Sequence, residues 1–226
     1  MFAAIFEVRP KQSKFEEYLG LAKHLRPKLE AIDGFVDIDR FASEPSQGRV
    51  LSLSTWRDEK AVVRWRTQSD HQEVQEKGRF EILEDYHLRV GEVTFDTAPP
   101  NGHRVVEQRL DATEVGLAKV ITLTEIVTLD SAALAAKPDL LGVHVGLRAD
   151  KDGLTEQQVF QSIYKPGKLL LLAAWRHADQ AKSWFPTIPE GANSTRHRCV
   201  RIIRDYGMFD RREAPQFYRE VKRGGA

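Results

Sequence analysis

The chain has 226 residues, of which 41% are hydrophobic and 30% are charged, a balance typical of a globular protein with one large domain or two small ones. The formal net charge of +1 gives no electrostatic footprint for nucleic acid or for an anionic membrane. No apolar run approaches the roughly 20 residues that cross a bilayer, the N-terminus lacks a signal-peptide pattern, and the lone Cys199 excludes an internal disulfide. We therefore expect a cytoplasmic protein without nucleic-acid or membrane partners.

The first 96 residues alternate between strand and helix patterns. Residues 2–10 alternate apolar and polar side chains and end at Pro10, which predicts a strand. Apolar residues then recur at helical spacing as far as Asp33-Gly34, a pair that ends a helix. In chain order the predictions are strand 2–10, helix 11–32, strand 35–43, hairpin turn 44–48, strand 49–56, helix 57–79 with a break near Ser69-Asp70, and strand 80–95.

A second copy of this sequence pattern follows at an offset near 119 residues. Residues 49–65 and 168–184 share five identities in seventeen positions, and two of these are tryptophans. The dipeptide Asp-Tyr recurs at 85–86 and 205–206. A period of this length is too long for a solenoid repeat and indicates a tandem duplication of a whole small domain.

Each copy follows the order strand, helix, two strands, helix and strand, which is the βαββαβ order of ferredoxin-like domains. In the second copy we place the strand after the first helix at 141–149, opposite 33–41 of the first copy. Helices cover one face of such a sheet, and the other face needs a partner. We therefore predict an α+β protein in which two ferredoxin-like halves pack sheet to sheet as an intramolecular barrel. The predicted divisions are a first domain at 1–96, a connector at 97–117, a diverged second domain at 118–210 and a tail at 211–226.

The second copy lacks the helix-forming sequence that would follow its second tryptophan, Trp184. Pro186, Pro189 and Gly191 cannot sustain a helix in that segment. The second copy is therefore predicted to serve mainly as the fixed partner of the barrel. The alternative is that its altered loop forms a different and wider pocket.

Three stretches of the first copy carry a family pattern: DGFVDIDRF at 33–41, LSLSTWRDEKAVVRWRTQSDHQEVQEKGR at 51–79 and EDYHLRV at 84–90. They resemble the antibiotic biosynthesis monooxygenase domain, of the dimeric α+β barrel superfamily, over about residues 1–95. That superfamily includes cofactor-free oxygenases of aromatic polyketides, haem-degrading oxygenases, isomerases and proteins without known activity. The resemblance therefore implies the fold and leaves the reaction open.

His71 is the candidate catalytic residue, six residues after Trp65 and near a predicted helix start. A neutral imidazole beside a pocket can take a proton from a phenol or an enol at pH 7. By resemblance to the cofactor-free oxygenases, the anion so formed would react with O2 without a metal or flavin. The alternative is a solvated or helix-capping histidine, because histidine is often part-exposed.

Four further residues are candidates for substrate binding. Trp56 and Trp65 would form a flat wall for a planar ligand, or they would pack between sheet and helix as core. Tyr86 would hydrogen-bond a ligand carbonyl, or it would fix the seam of the barrel. Glu7, on the first strand, would act as a carboxylate with a raised pKa if it were buried, or it would lie at the barrel end.

The resemblance also implies a test for haem. In haem-degrading relatives the iron-ligating histidine follows the helix tryptophan at the place where this chain has Gln75, and an asparagine expected on the first strand is missing. His71 lies about one helical turn away from that position. Haem is therefore disfavoured, and we expect neither a cofactor nor a metal.

Together these observations favour a cofactor-independent monooxygenase that acts on O2 and a small phenolic or quinone-like compound. His71 would be the base, and Trp65 and Tyr86 would line the pocket. Two alternatives stay open: a haem-binding or haem-degrading protein, and a non-catalytic ligand-binding or assembly module. A filled space between the sheet and the helices of the first half would favour the module. The chain would work as a monomeric pseudo-dimer or as a homodimer.

Overall fold

The computed structural model describes residues 1–43, 48–128 and 140–221. The strands are β1 (Phe2–Pro10), β2 (Phe35–Ala42), β3 (Val50–Trp56), β4 (Leu83–Asp96), β5 (Val120–Thr128), β6 (Leu154–Ser162), β7 (Lys168–Trp175) and β8 (Ala192–Gly207). The helices are α1 (Phe15–Glu30), α2 (Glu59–Arg66), α3 (Ser69–Lys77), α4 (Leu141–His144) and α5 (Ala178–Lys182), with a π-helical turn at Gly78–Ile82. None of the helices in these ranges is long and apolar enough to span a bilayer. The hairpin turn predicted at 44–48 falls outside the described residues except for Gly48.

The eight strands form one closed antiparallel sheet in the order β1-β3-β2-β6-β7-β5-β8-β4, and β4 pairs again with β1. The first half contributes the order β4-β1-β3-β2, and the second half contributes the corresponding order β8-β5-β7-β6. Each is the strand order of a ferredoxin-like sheet. The halves join where β2 pairs with β6 and where β4 pairs with β8. The predicted fold class, an α+β barrel made of two ferredoxin-like halves, is confirmed.

The second strand of the second half lies later in the chain than the sequence analysis placed it. The strand is β6, whereas the segment predicted as a strand at 141–149 begins with the short helix α4. The structural equivalent of Gly34 is Gly153: both have positive φ, and both carbonyls accept the N–H of the arginine that follows the strand tryptophan. The segment at 129–139, where the sequence order places the first helix of the second half, falls outside the described residues.

Side-chain alternation along the strands separates the barrel interior from the faces that carry helices. The interior is an apolar core drawn from both halves, which includes Ala3, Ile5, Leu51, Leu53, Ile121, Leu123, Leu170 and Leu172. Neighbouring residues on the same strands point outward, so that Phe2 and Trp56 pack toward the helices instead. Each half therefore has its own space between its sheet and its helices.

Among the described residues, large side chains pack on the outer face of the second half. Trp175 and Trp184 are buried there with ring centroids 6.1 Å apart, and they pack with Leu141, Val145 and Ala181. The chain beyond Trp184 continues without helix to β8, as the prolines predicted. This half completes the barrel, and the search for a ligand cavity therefore turns to the first half.

Candidate active site

The first half encloses a cavity of 220 Å³ between its sheet and the helices α1, α2 and α3. Most of its wall is aliphatic or aromatic. Among the described residues, its lining includes six arginines but a single acidic side chain, that of Glu59. The space between sheet and helices is therefore not filled in this half, which disfavours a purely structural module. An apolar cavity with a few polar groups is the usual form of a small-molecule site.

His71 reaches this cavity because the chain breaks between α2 and α3. The side chain of Gln68, which accepts the backbone N–H of His71 at 2.9 Å, caps α3. The break thus falls where the sequence predicted it, near Ser69-Asp70, and the capping residue is Gln68. The imidazole lies on Trp65, with ring centroids 4.1 Å apart and an interplanar angle of 15°. The ring is consequently held flat against one wall of the cavity.

The hydrogen bonds of His71 define its tautomer. Nδ1 lies 2.9 Å from the carbonyl oxygen of Trp65, which can only accept, so Nδ1 carries the proton and Nε2 carries the lone pair. Burial lowers the pKa of His71 to about 4, and the bond to the Trp65 carbonyl offsets part of that effect. The ring is neutral at pH 7. Protonating it there costs about 4 kcal/mol, so it works as a base only where a substrate anion forms beside it.

The structure brings Trp56, Trp65 and Tyr86 to the same cavity as His71. Trp56 is fully buried at the cavity floor, where its indole N–H donates to Ser54 Oγ at 3.0 Å and its ring meets Phe35 edge-on. Trp56 therefore serves as core and as cavity wall together. Tyr86 lies at the tail side of the cavity with a buried side chain.

Glu7 does not lie at this cavity. It faces the barrel interior, where it is 1% exposed and forms ion pairs with Arg89 and with Arg49, the latter at 2.6 Å. The physical reason is strand alternation: Phe6 on β1 lines the cavity, so its neighbour Glu7 points to the other face of the sheet. The substrate-binding role expected for Glu7 is therefore corrected to an interior ion pair.

Sequence reasoning missed the residues that close the cavity from the tail. The segment after β8 runs without helix along the first half, and it brings Arg211, Gln216 and Tyr218 to the cavity lining. Gln216 Nε2 donates to the carbonyl of Arg66 at 3.2 Å, and the Tyr218 hydroxyl donates to Gln75 Oε1 at 2.8 Å. The only sequence signal was the alternation of arginines and aromatics in DRREAPQFYRE, at 210–220.

The residues at the position expected for haem do not fit haem. Gln75 stands at the expected ligand position, and its side chain accepts the hydroxyl of Tyr218. The nearby His71 holds its Nδ1 on a backbone carbonyl, and its Nε2 lies 3.4 Å from Gln75 Nε2. Among the described residues, no group of three His, Cys, Asp or Glu side chains is placed to hold a metal ion.

A second histidine of low pKa lies in the other half. His197 is 2% exposed, its Nδ1 lies 2.9 Å from Thr124 Oγ1, and burial lowers its pKa to about 4. Its neighbour Cys199 is no activated thiol, because burial raises the pKa of Cys199 to about 11. The arginines that flank Cys199 in sequence therefore do not make it a nucleophile.

His197 should make the protein less stable in mild acid. Its pKa is about 4 in the folded chain and near 6.5 in the unfolded chain, so only the unfolded chain binds the proton between these values. Its contribution is complete above pH 6.5, and about 2 kcal/mol of it is lost between pH 7 and pH 5. Urea unfolding at both pH values measures the loss. His197→Gln should show a smaller difference than wild type, whereas the exposed-site control His24→Gln should not; an unchanged difference in His197→Gln would refute the assignment.

Comparison with known proteins gives one family and one full-length relative. Residues 1–77 match the family model described as antibiotic biosynthesis monooxygenase. The whole chain is similar to jasmonate monooxygenase ABM of Pyricularia oryzae, with 44% identity over 222 residues that cover 96% of this chain and 98% of that protein. The similarity therefore includes both halves of the barrel.

Solved structures show more distant likenesses. An anthrone oxidase-like protein is 10% identical, with a TM-score of 0.38, over 95% of this chain and 96% of that chain. A protein of Shewanella oneidensis is 17% identical, with a TM-score of 0.38, over 39% of this chain and 86% of that chain. Likenesses at this level carry no argument about activity.

Proposed function

The chain belongs to the antibiotic biosynthesis monooxygenase family, and we propose that it is a cofactor-independent monooxygenase of a small, largely apolar compound. The observation that carries the proposal is the neutral His71, held on Trp65 with its Nε2 lone pair free of a strong donor, at a largely apolar cavity. That cavity lies in the half that matches the family model. The full-length relative makes jasmonate the first candidate substrate.

The proposed chemistry begins with proton transfer to His71 Nε2. A methylene group made acidic by a neighbouring carbonyl or unsaturated group, or the hydroxyl of a phenol, gives up its proton, and the resulting carbanion or phenolate stabilises the imidazolium beside it. The carbanion adds O2 to form a peroxide, which loses water, so that one methylene group and one O2 become one carbonyl group and one water. The substrate supplies four electrons and O2 takes up four, so no external reductant enters the balance. An apolar cavity favours this step because it excludes bulk water from the carbanion.

The substrate test measures O2 consumption with a panel of compounds and determines the mass of each product in parallel. Purified protein stripped of metals and flavin would be given jasmonate, and then anthrone and hydroquinone to represent the aromatic class. We expect turnover of at least one of these compounds. Turnover that requires added flavin or nicotinamide would refute cofactor independence, and no turnover with or without them would refute the monooxygenase assignment.

A cavity-filling variant ties turnover to this site. Ala4 lines the cavity from β1, so Ala4→Phe should block substrate entry and remove turnover. Ala178→Phe makes the same change at an exposed position of α5 in the second half and should retain activity. Equal activity in the two variants would place the reaction elsewhere.

We also propose that the protein acts as a monomeric pseudo-dimer. The sheet is already closed by the two halves of one chain, so no half-barrel needs another chain as partner. Mass in solution measured by light scattering should equal that of one chain. A dimer mass that persists on dilution would contradict the proposal.

A further inference from the structure

Two guanidinium groups converge at the tail side of the cavity. Arg79 lies on the π-helical turn after α3, and Arg211 lies on the segment after β8. The Nη1 atoms of both arginines donate to the hydroxyl oxygen of Tyr86, each at 2.5 Å. The acceptor that the two arginines share is thus the oxygen of a tyrosine side chain and not that of a carboxylate.

Neither arginine has an anionic partner among the described residues. Arg79 is only 3% exposed, its other acceptors are the carbonyls of Met208 and Arg219, and its Nε is buried without a hydrogen-bond partner. Arg211 donates to one further acceptor, the carbonyl of Gln216, at 2.9 Å. A buried guanidinium without a counter-ion is costly, so Arg79, with the half-buried Arg211 beside it, indicates a place prepared for an anion.

The arginines of the barrel interior show the contrast. Arg89 is equally buried, but it pairs with the carboxylates of Glu7 and Glu156. Arg198 likewise pairs with Glu125. The fold thus supplies carboxylates to arginines that serve structure, and it supplies none from the described chain to the pair at the cavity.

Aromatic rings hold the two guanidiniums in place. Arg79 lies 5.7 Å from the ring centroid of Tyr86 and 5.4 Å from that of Tyr218. Arg211 lies 5.3 Å from the ring of Tyr218 and 5.6 Å from that of Tyr206. Cation–π contacts stabilise the charges and fix their directions without neutralising them. The pair is therefore preorganised for a ligand.

We propose that Arg79 and Arg211 bind the carboxylate of the substrate, which makes the substrate class a small apolar carboxylic acid. Two convergent guanidiniums match the planar, two-oxygen geometry of a carboxylate, and the remaining arginines of the lining favour any anion in the cavity. This inference rests on the proposed function, because it takes this cavity as the substrate site. Jasmonate, the substrate that the full-length relative's name gives, is itself a carboxylate.

The proposed carboxylate site is also connected to the candidate base, His71, through a chain of side-chain contacts. Tyr218 contacts both arginines with its ring and donates its hydroxyl to Gln75, whose amide nitrogen lies 3.4 Å from His71 Nε2. Arg79, Arg211, Gln216 and Tyr218 also border a second, outer cavity under the tail. A carboxylate held here would leave the apolar body of the substrate in the inner cavity, beside Trp65 and His71.

The test measures binding of acids against their methyl esters by titration calorimetry at constant ionic strength. The probes are jasmonate, phenylacetate and decanoate, each with its ester, so that only the negative charge changes within a pair. Wild type should bind at least one free acid about 10- to 100-fold more tightly than its ester, the range for charge-assisted hydrogen bonds. Arg79→Met and Arg211→Met should each reduce this preference, and the double variant should abolish it.

The control is Arg148→Met, which removes an exposed arginine of the second half that is paired with Asp150 and borders neither cavity. It should keep the acid preference of wild type. No preference for the free acid in any pair, or a preference that survives in the double variant, would overturn the proposal. Stronger competition by inorganic phosphate than by acetate would also overturn it, in favour of a phosphate ester. Because no turnover is needed, a failed oxygenase assay would reject the proposed reaction without affecting this result.

Discussion

Replacing His71 with phenylalanine is expected to lower kcat by about 10²- to 10⁴-fold, the range that follows loss of a general base. Phenylalanine preserves a flat ring against Trp65, where the imidazole now stacks at 4.1 Å, but it cannot accept a proton. Substrate binding should change little, because the apolar wall is retained. Steady-state O2 consumption with the best substrate of the panel gives both kcat and KM.

The pH profile distinguishes a base from a packing residue. The neutral imidazole is the active form, and the pKa of His71 is lowered to about 4, so kcat/KM should be level from pH 8 to pH 5 and fall as the pH drops through about 4. The exposed His24 on α1 provides the control His24→Phe, which should leave the profile unchanged. Full kcat in His71→Phe would remove His71 from the mechanism.

Replacing Trp175 with alanine is expected to lower the free energy of unfolding by about 3–5 kcal/mol, the usual cost of removing a buried aromatic side chain. Trp175 is fully buried, its ring stacks with Trp184 at 6.1 Å, and its indole N–H donates to Thr122 Oγ1 at 2.9 Å. The variant therefore loses packing and a satisfied hydrogen bond together. Urea unfolding followed by far-ultraviolet circular dichroism measures the loss.

The comparison variant is Trp65→Ala in the first half, at the sequence position equivalent to Trp184, the residue that stacks on Trp175. Trp65 is part-exposed and borders an open cavity, so its removal should cost less stability than that of Trp175. It should instead weaken substrate binding, because His71 loses the ring on which it lies. Equal stability losses in the two variants would contradict the division into a packed half and a ligand-binding half.

Several features of this fold were accessible from the sequence for simple physical reasons. Strand alternation and the helical spacing of apolar residues in the first half predicted its elements, and the repeated tryptophans indicated two equivalent halves. Pro186 and Pro189 lack the N–H that a helix needs, which correctly predicted the missing helix of the second half. His71 was a candidate because it follows Trp65 near a helix start, and a neutral imidazole beside a pocket can take a proton at pH 7.

Other features depend on contacts between distant parts of the chain. The position of β6 was missed because the apolar run at 141–149 looked like a strand, while the Asp-Gly turn at 152–153 that begins the true strand went unused. Arg79 and Arg211 lie far apart in the sequence, and only the course of the tail brings them to one hydroxyl. No local pattern predicts that two arginines will lack carboxylate partners.

The most direct test of the central claim is a single-turnover reaction with ¹⁸O2, using metal-free and flavin-free protein and the best substrate of the panel. We expect one labelled oxygen atom in the product carbonyl and the other in water, with no label transfer in His71→Phe. A product that takes its oxygen from water, or label transfer that continues in His71→Phe, would contradict cofactor-free oxygenation at this cavity.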